Sequence, residues 1–398
     1  MMNAQIEKLK TEVRAELINN ILPFWSQNMI DAQNGGFYGQ INGQNQAIAK
    51  ADKGGILNAR ILWTFSSAYL QVKNPLYLEM ANRAKTYILD HFFDHENGGT
   101  YWNISYDGKP TETKKQIYSQ AFFLYAFTEH YRASGEESSL QTAIDLFRMI
   151  ELRSFDPQLN GYFEAYSRDW VLLEDLRLSA KDANEKKTMN THLHILEAYT
   201  NLYRVWKDDE LARQLRNLIL LFTQKIVNPK THHLDLFFDD HWNSKVEMES
   251  YGHDIEASWL IDEAARVLGD QKLLEQVQKT CIQIAEAACD GLQPDGSLFY
   301  EKEFAIAHLD KHRHWWVQAE GVVGFLNAYE LTNNTAWLEK ALHAWKYIQD
   351  NHIDTRHGEW FLTVSDQGTV NPLEDKAGFW KCPYHNSRMC LEIMLRFE

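Results

Sequence analysis

Residues 94–102 have the sequence DHENGGTYW, a turn followed by aromatic side chains. Turn residues that lead into an extended aromatic run predict a β-hairpin. Five further segments share the pattern, at residues 31–39 (DAQNGGFYG), 156–164 (DPQLNGYFE), 230–238 (KTHHLDLFF), 290–301 (DGLQPDGSLFYE) and 354–361 (DTRHGEWF). Their starts lie about 60 residues apart, with a longer gap before the fourth, which indicates a six-fold repeat.

Two helical patterns lie between successive hairpins, because apolar residues recur there at spacings of three and four. Examples are residues 58–70 followed by 75–92, and residues 253–268 followed by 272–289. One helix before the first hairpin and one after the last bring the predicted count to twelve. The helix that follows each hairpin carries fewer charges and is predicted to belong to an inner ring, with its partner in an outer ring.

The sequence therefore predicts an all-α fold, an (α/α)6 toroid or barrel of twelve helices, with short β-hairpins between helix pairs. No linker rich in proline or serine interrupts the repeat, so residues 1–398 are predicted to form a single catalytic domain. The segment 167–187 is longer and more polar than its equivalents. It is interpreted either as a loop that covers one mouth of the ring or as a solvated insertion.

Composition narrows the classes of partner. The formal net charge of −15 argues against nucleic acid and against an anionic membrane surface, whereas a neutral sugar is compatible with it. The charged N-terminus and the absence of a long apolar run predict a cytoplasmic protein. The four cysteines form no CxxC pair, and no phosphate-binding loop or GxGxxG turn occurs, so no cofactor is predicted. A monomer or weak homodimer is expected.

Each predicted inner helix begins with polar or aromatic residues, and in a closed ring these starts meet at one end. That end is the expected mouth of a pocket. The residues concerned are Arg60, Tyr118, Asn190, His194, His253, Glu256, Trp315, Trp316, Glu320 and His385, with Trp380 just before the last helix.

Helical spacing divides these residues by face. Asn190 and His194 share a face, whereas His192 points away; the pairs His253 with Glu256 and Trp316 with Glu320 also share faces. An isolated histidine is more often structural than catalytic, but three at equivalent repeat positions favour a functional role. His253 and Glu256 resemble half of a metal site, yet no HExxH motif completes it, so no metal is predicted.

The motifs LNARILWTFS, MNTHLHILEAYTNLYR, GHDIEASWLIDEA, WWVQAE and WKCPYHNSRMC resemble the N-acylglucosamine 2-epimerase family, and within it the branch that acts on cellobiose. They span nearly the whole chain, and the family's (α/α)6 toroid agrees with the repeat count. The resemblance implies reversible inversion of carbon 2 of the reducing glucose in cellobiose- or lactose-type β-1,4 disaccharides.

The resemblance also implies roles for individual residues. His253 and His385 would be the acid/base pair, and His194 and Arg60 would bind and polarise the oxygen at carbon 1. The residues implied to line the sugar site are Tyr118, Asn190, Glu256, Trp316 and Trp380, and Glu320 joins them because it shares a helix face with Trp316.

Elementary chemistry agrees with this reading. Inversion needs proton transfer on both faces of carbon 2, and histidine suits both steps near neutral pH. The enediolate intermediate carries negative charge on the oxygen at carbon 1. A cation and hydrogen-bond donors are therefore expected beside that oxygen before the reaction begins.

Three alternatives stay open at this point. One is a monosaccharide epimerase or aldose–ketose isomerase acting on mannose or N-acylglucosamine. Another is a glycoside hydrolase that uses two carboxylates such as Asp182 and Glu256. The third is a non-catalytic sugar-binding protein, which would not need three histidines converging with an arginine.

Overall fold

The computed structural model describes residues 2–396 and has twelve helices, as predicted. Helix α1 comprises Met2–Glu16, a π turn at Leu17–Ile21 and Leu22–Gln27. The others are α2 (Gly55–Val72), α3 (Pro75–His91), α4 (Ile117–Ser134), α5 (Glu137–Arg153), α6 (Met189–Val205), α7 (Asp209–Leu221, ending in a π turn at Phe222–Ile226), α8 (Tyr251–Leu268), α9 (Gln271–Ala288), α10 (Trp315–Thr332), α11 (Thr335–Asn351) and α12 (Tyr384–Leu395).

The even-numbered helices form the inner ring. Each packs on the next, from α2 through α4, α6, α8 and α10 to α12, and α12 packs back on α2 to close the circle. Each odd-numbered helix packs outside an inner partner. The inner helices are buried over most of their length, whereas the outer helices bury one stripe. The predicted (α/α)6 barrel and its two rings are confirmed.

Short turns join the two rings. Four inner helices end at a residue in the left-handed conformation, namely Lys73, Gly135, Gly269 and Asn333. Three of the four outer helices that follow are preceded by an asparagine or aspartate whose side chain accepts a backbone amide, namely Asn74 before α3, Asp270 before α9 and Asn334 before α11. These turns place every inner helix start at the same end of the ring.

The predicted hairpins are tight turns, each closed by a single antiparallel bridge such as Phe93 with Thr100. Their aromatic runs continue into two- and three-residue strands that pair with a strand of the neighbouring repeat, and the strands at residues 103–104 and 301–303 also pair locally, with residues 110–112 and 308–310. The strands are β1 (Lys53–Gly54), β2 (Asn103–Ile104), β3 (Pro110–Glu112), β4 (Lys115–Gln116), β5 (Ala165–Tyr166), β6 (Lys187–Thr188), β7 (Phe237–Phe238), β8 (Met248–Ser250), β9 (Glu301–Glu303), β10 (His308–Asp310), β11 (Arg313–His314) and β12 (Thr363–Val364).

Pairing of strands fixes where the inner helices begin. A short strand directly precedes five of them, and each of these strands pairs with the strand of the following turn, as β4 does with β5. The first and last repeats meet through the bridge between Ile41 and Ala377. Within residues 2–396, no helix is both long enough and apolar enough to cross a membrane.

The segment 167–187 reaches other repeats. Lys181 donates a hydrogen bond to the hydroxyl of Tyr300 at 2.6 Å, and Gln116 donates to the backbone oxygen of Arg177 at 2.9 Å. Leu176 is buried. These contacts favour the interpretation of this segment as a loop over the mouth rather than as a solvated insertion.

Candidate active site

Three histidines from different inner helices are held in the same way, each through Nδ1. His194 Nδ1 lies 2.9 Å from Glu197 Oε2, and His385 Nδ1 lies 2.7 Å from Glu320 Oε1. His253 Nδ1 lies 2.8 Å from the hydroxyl of Ser250. A carboxylate only accepts, so Nδ1 of His194 and of His385 carries the proton, and in a neutral His385 ring this leaves Nε2 unprotonated.

The pKa values favour neutral rings at two of these positions. Burial lowers the pKa of His253 to about 3. Burial, together with the charges of Arg60 and Arg388, holds the pKa of His385 well below its ordinary value. Both imidazoles are therefore unprotonated at neutral pH and able to accept a proton.

The ring of Trp316 packs against both His253 and His385. Its ring centroid lies 4.9 Å from that of His253 and 5.5 Å from that of His385. The three side chains come from α8, α10 and α12, so the ring closure of the barrel brings them together. The Trp316 side chain thus contacts both imidazole rings.

Arg60 is the cation of the site. It is 3 % exposed, and its guanidinium lies 4.3 Å from the ring centroid of Phe122 and 4.7 Å from that of Tyr384. Nη2 donates to the hydroxyl of Tyr118 at 2.9 Å, and Nη1 contacts Cys382 Sγ at 3.4 Å. Among the described residues, no carboxylate pairs with this guanidinium, which is costly unless an anion or a polarised oxygen uses the charge.

Tyr118 connects this cation to a histidine and to the rim. Its ring packs edge-on against His194 at 4.9 Å and against Trp380 at 6.0 Å. Trp380 is 36 % exposed, so one face of an aromatic ring stands open at the mouth. The amide oxygen of Asn190 is buried and has no hydrogen-bond partner among the described residues, which leaves it available to a ligand.

Glu256 and Glu320 lie deeper than the sequence suggested. Both are 1 % exposed, and both accept hydrogen bonds from Arg388, at 2.5 and 2.6 Å. Glu320 also accepts from the indole of Trp259 and bonds to His385. Burial and the charge of Glu320 raise the pKa of Glu256 to about 7, and burial raises the pKa of Glu320.

Sequence reasoning missed three residues of this cluster, Glu197, Tyr384 and Arg388. Arg388 is 1 % exposed and donates to all three carboxylates, Glu197, Glu256 and Glu320. The available signal was a charged residue inside a predicted inner helix, four residues after Tyr384. His192 was correctly placed elsewhere, since it bonds to the backbone of Thr188 and Tyr162.

A metal ion has one candidate position among residues 2–396. Ligand atoms of Glu256, Glu320 and His385 lie within 4.8 Å of one another. The same carboxylate oxygens already accept hydrogen bonds from Arg388, so a cation would compete with a guanidinium for them. This set also differs from the His253–Glu256 pair that the sequence brought forward.

A cluster of largely buried histidines and carboxylates lies at one end of the (α/α)6 barrel, beside an arginine that pairs with no carboxylate within residues 2–396. The profile of the N-acylglucosamine 2-epimerase family matches residues 36–387, and the chain belongs to this family. It is thus an enzyme of the isomerase class.

Two cellobiose 2-epimerases are similar to this chain over its full length, one in sequence and one in solved structure. A cellobiose 2-epimerase from Bacteroides fragilis is 54% identical over 388 residues, which cover 98% of this chain and 99% of the relative. The solved structure of cellobiose 2-epimerase from Bacillus thermoamylovorans B4167 is 42% identical, has a TM-score of 0.94, and is matched over 98% of this chain and 100% of its own. A D-mannose isomerase shares the fold, with a TM-score of 0.85 at 17% identity, over 96% of this chain and 97% of its own.

Proposed function

We propose that this enzyme inverts carbon 2 of the reducing-end glucose in β-1,4 disaccharides of the cellobiose and lactose type, so that cellobiose becomes 4-O-β-glucosyl-mannose. The observation that carries the proposal is the pair of neutral histidines, the partly buried His253 and the buried His385, whose rings both lie against Trp316. The full-length similarity to cellobiose 2-epimerases supports the choice of substrate.

The proposed reaction uses each histidine on one face of carbon 2. After the sugar ring opens, Nε2 of one histidine removes the proton from carbon 2, and the electron pair moves into an enediolate. The other histidine, which has taken up a proton from solvent at Nε2, delivers that proton to the opposite face of carbon 2, and the carbonyl at carbon 1 forms again. The first histidine then releases the captured proton to solvent. Two bases are needed because one side chain cannot reach both faces of a fixed substrate.

Arg60 and His194 are proposed to bind the oxygen at carbon 1. The charge on that oxygen grows as the enediolate forms, and a fixed cation in a buried site stabilises it without reorganisation. Both hydrogen-bonded nitrogens of Arg60 face weak partners, a phenol and a thiol, which a sugar oxygen can displace. Tyr118 and Asn190 are proposed to hold neighbouring hydroxyls, and Trp316 and Trp380 to stack on the sugar.

Glu256 and Glu320 are proposed to act mainly through other residues. Glu320 fixes the tautomer of His385 through Nδ1, as carboxylates do for histidines in other sites. The raised pKa of Glu256 favours a proton shared among the buried carboxylates, which limits repulsion around Arg388. No cofactor or metal enters the proposed steps.

A cytoplasmic location and a monomeric or weakly dimeric state also stay proposals. The four cysteines, at positions 281, 289, 382 and 390, are all free, as expected in a reducing compartment. The hydrolase alternative finds less support. Glu256 is bound to Arg388 beneath the histidines, and Asp182 caps its own loop by accepting from Ser179, so the two carboxylates do not form a free pair.

Incubation with cellobiose in deuterated water tests the proposal. We expect a product of unchanged connectivity with one deuterium at carbon 2, identified by NMR. Values of kcat/KM for cellobiose, lactose, glucose, mannose and N-acetylglucosamine then rank the substrates. Release of free monosaccharides would indicate hydrolysis, and a higher value for a monosaccharide would replace the disaccharide assignment.

A further inference from the structure

A continuous chain of polar contacts joins two of the histidines, although they lie on different helices. His194 Nδ1 contacts Glu197 Oε2 at 2.9 Å, and Glu197 Oε1 accepts from Nη1 of Arg388. Nη2 of Arg388 donates to Glu320 Oε1 at 2.6 Å, and the same oxygen lies 2.7 Å from His385 Nδ1. One guanidinium on α12 thus connects α6 with α10.

The chain is sealed from water. Arg388 and Glu320 are each 1 % exposed, and Glu197 is 3 % exposed. The guanidinium lies between two aromatic rings, with its carbon 4.8 Å from the centroid of Trp259 and 4.3 Å from that of Tyr384. In such surroundings charges are weakly screened, so a change at one end of the chain affects the other end.

The geometry also explains why an arginine stands here. A planar guanidinium presents donors in two fixed directions, and here Nη1 serves Glu197 while Nη2 serves Glu256 and Glu320. The hydroxyl of Tyr384 reinforces one arm, since it contacts both Glu197 and Arg388. A lysine ammonium would carry the same charge without holding both directions.

We infer that Arg388 is a positioning residue that couples His194 to His385 through Glu197 and Glu320. It fixes both Nδ1 acceptors, so both Nε2 atoms are oriented by a single group. It also links their charges, since positive charge on Arg388 and on His194 lowers the pKa of His385 beyond the larger effect of burial. The inference rests on the proposed function for the roles of the two histidines, whereas the coupling itself is a property of the free protein.

Histidine side-chain 15N NMR tests the coupling without any substrate. Glu197→Gln alters a group that contacts His194 but not His385, and Glu320→Gln does the reverse. We expect each substitution to change the side-chain 15N shifts of both histidines, whose signals are assigned with His194→Asn and His385→Asn. Glu151→Gln is the matched control, because this carboxylate accepts from Tyr162 and Tyr199 elsewhere and should alter neither signal.

If each glutamine substitution changes only the histidine that it touches, the coupling is refuted. This outcome is independent of catalysis. A protein that fails to convert cellobiose would overturn the proposed function and leave the NMR result to decide the coupling.

Kinetics test the positioning role. In Arg388→Lys we expect kcat for cellobiose to fall about 10- to 100-fold, as when outer hydrogen-bond partners of functional histidines are lost, with KM little changed. Tyr384→Phe keeps the aromatic ring against the guanidinium and removes only the hydroxyl that contacts Glu197 and Arg388. This variant tests the same positioning role if Arg388→Lys does not fold. Arg83→Met is the matched control, because it removes a cation that binds only backbone oxygens. Unchanged kcat in both Arg388→Lys and Tyr384→Phe would refute the role.

Discussion

At the scale of single residues, the three histidines of the site differ in what holds Nδ1. Glutamates fix His194 and His385, whereas a serine hydroxyl fixes His253. A carboxylate partner stabilises an imidazolium more strongly than a hydroxyl does. His253 therefore loses a captured proton more readily than His385, and the two directions of epimerisation need not share one rate-limiting step.

Replacing either base should stop the reaction. We predict that His253→Asn and His385→Asn each lower kcat for cellobiose by about 100- to 10,000-fold, because each serves a face that the other cannot reach. Circular dichroism checks that each variant is folded, and His241→Asn, on the surface, should retain full activity. Near wild-type turnover in either variant would remove that histidine from the mechanism.

The exposed ring of Trp380 offers a second residue-scale prediction. We expect Trp380→Ala to lower kcat/KM for cellobiose severely while the free energy of unfolding changes little, because the ring is 36 % exposed and available to stack on a sugar. Trp380→Phe keeps an aromatic face and should retain more activity than the alanine variant. Equal losses in the two variants would argue against stacking.

Metal removal is a third test at this scale. Arg388 already binds the carboxylate oxygens of Glu256 and Glu320, so we predict full activity after chelation and dialysis. Activity is measured before and after treatment, and again after readdition of divalent ions one at a time. Loss that only one ion restores would show that a cation takes part.

At the scale of elements, the repeat was predictable because each repeat carries local sequence signals for its turn, its helices and their caps. The pairing of strands was not, because β4 and β5 are about 50 residues apart and each has two residues, too few for a periodic signal. The lysine that precedes several inner helices was also missed. Lys53, Lys115, Lys187 and Lys376 each bind the aspartate that opens the preceding turn.

These buried pairs should stabilise the turns measurably. We predict that Lys53→Met lowers the free energy of unfolding by about 3 kcal/mol, because it leaves the carboxylate of Asp31 buried without its cation. Lys109→Met breaks an exposed pair with Asp107 and should change the free energy of unfolding by less than about 1 kcal/mol. Urea denaturation compares the two variants, and equal effects would contradict a structural role for the buried pair.

At the scale of the whole molecule, ring closure creates the site. Arg60 and Cys382 touch although they lie at opposite ends of the chain, and the sequence could place them together only through the predicted toroid. That is why the residues at the mouth were predictable, whereas Glu197, Tyr384 and Arg388 were not. Their importance comes from contacts across the barrel axis, which no local spacing reveals.

Burial of many titratable groups predicts how the stability of the whole barrel depends on pH. Burial lowers the pKa of five histidines to about 3 or 4, at positions His130, His192, His253, His314 and His352. Below about pH 6.5 the unfolded chain binds protons at these sites that the folded chain does not, so their contribution to stability is lost as pH falls. Burial has the opposite effect on Glu164, whose pKa rises to about 8, and on Glu256 and Glu392, whose pKa values rise to about 7. These carboxyls keep their protons in the folded state, and their contribution is lost as pH rises through 7 and 8.

The two effects together predict maximal stability at about pH 6, with lower free energies of unfolding at pH 4.5 and at pH 8. Urea titrations across this range measure the curve. His130→Gln should flatten its acid side, because one buried histidine no longer takes up a proton on unfolding, even if the variant is less stable at every pH. His241→Gln, which alters a side chain that is 67% exposed, should leave the shape of the curve unchanged. A free energy of unfolding that rises steadily from pH 4.5 to pH 8 would contradict the assignment of neutral, buried carboxyls at the centre of the barrel, and with it the shared proton that the site is proposed to hold around Arg388.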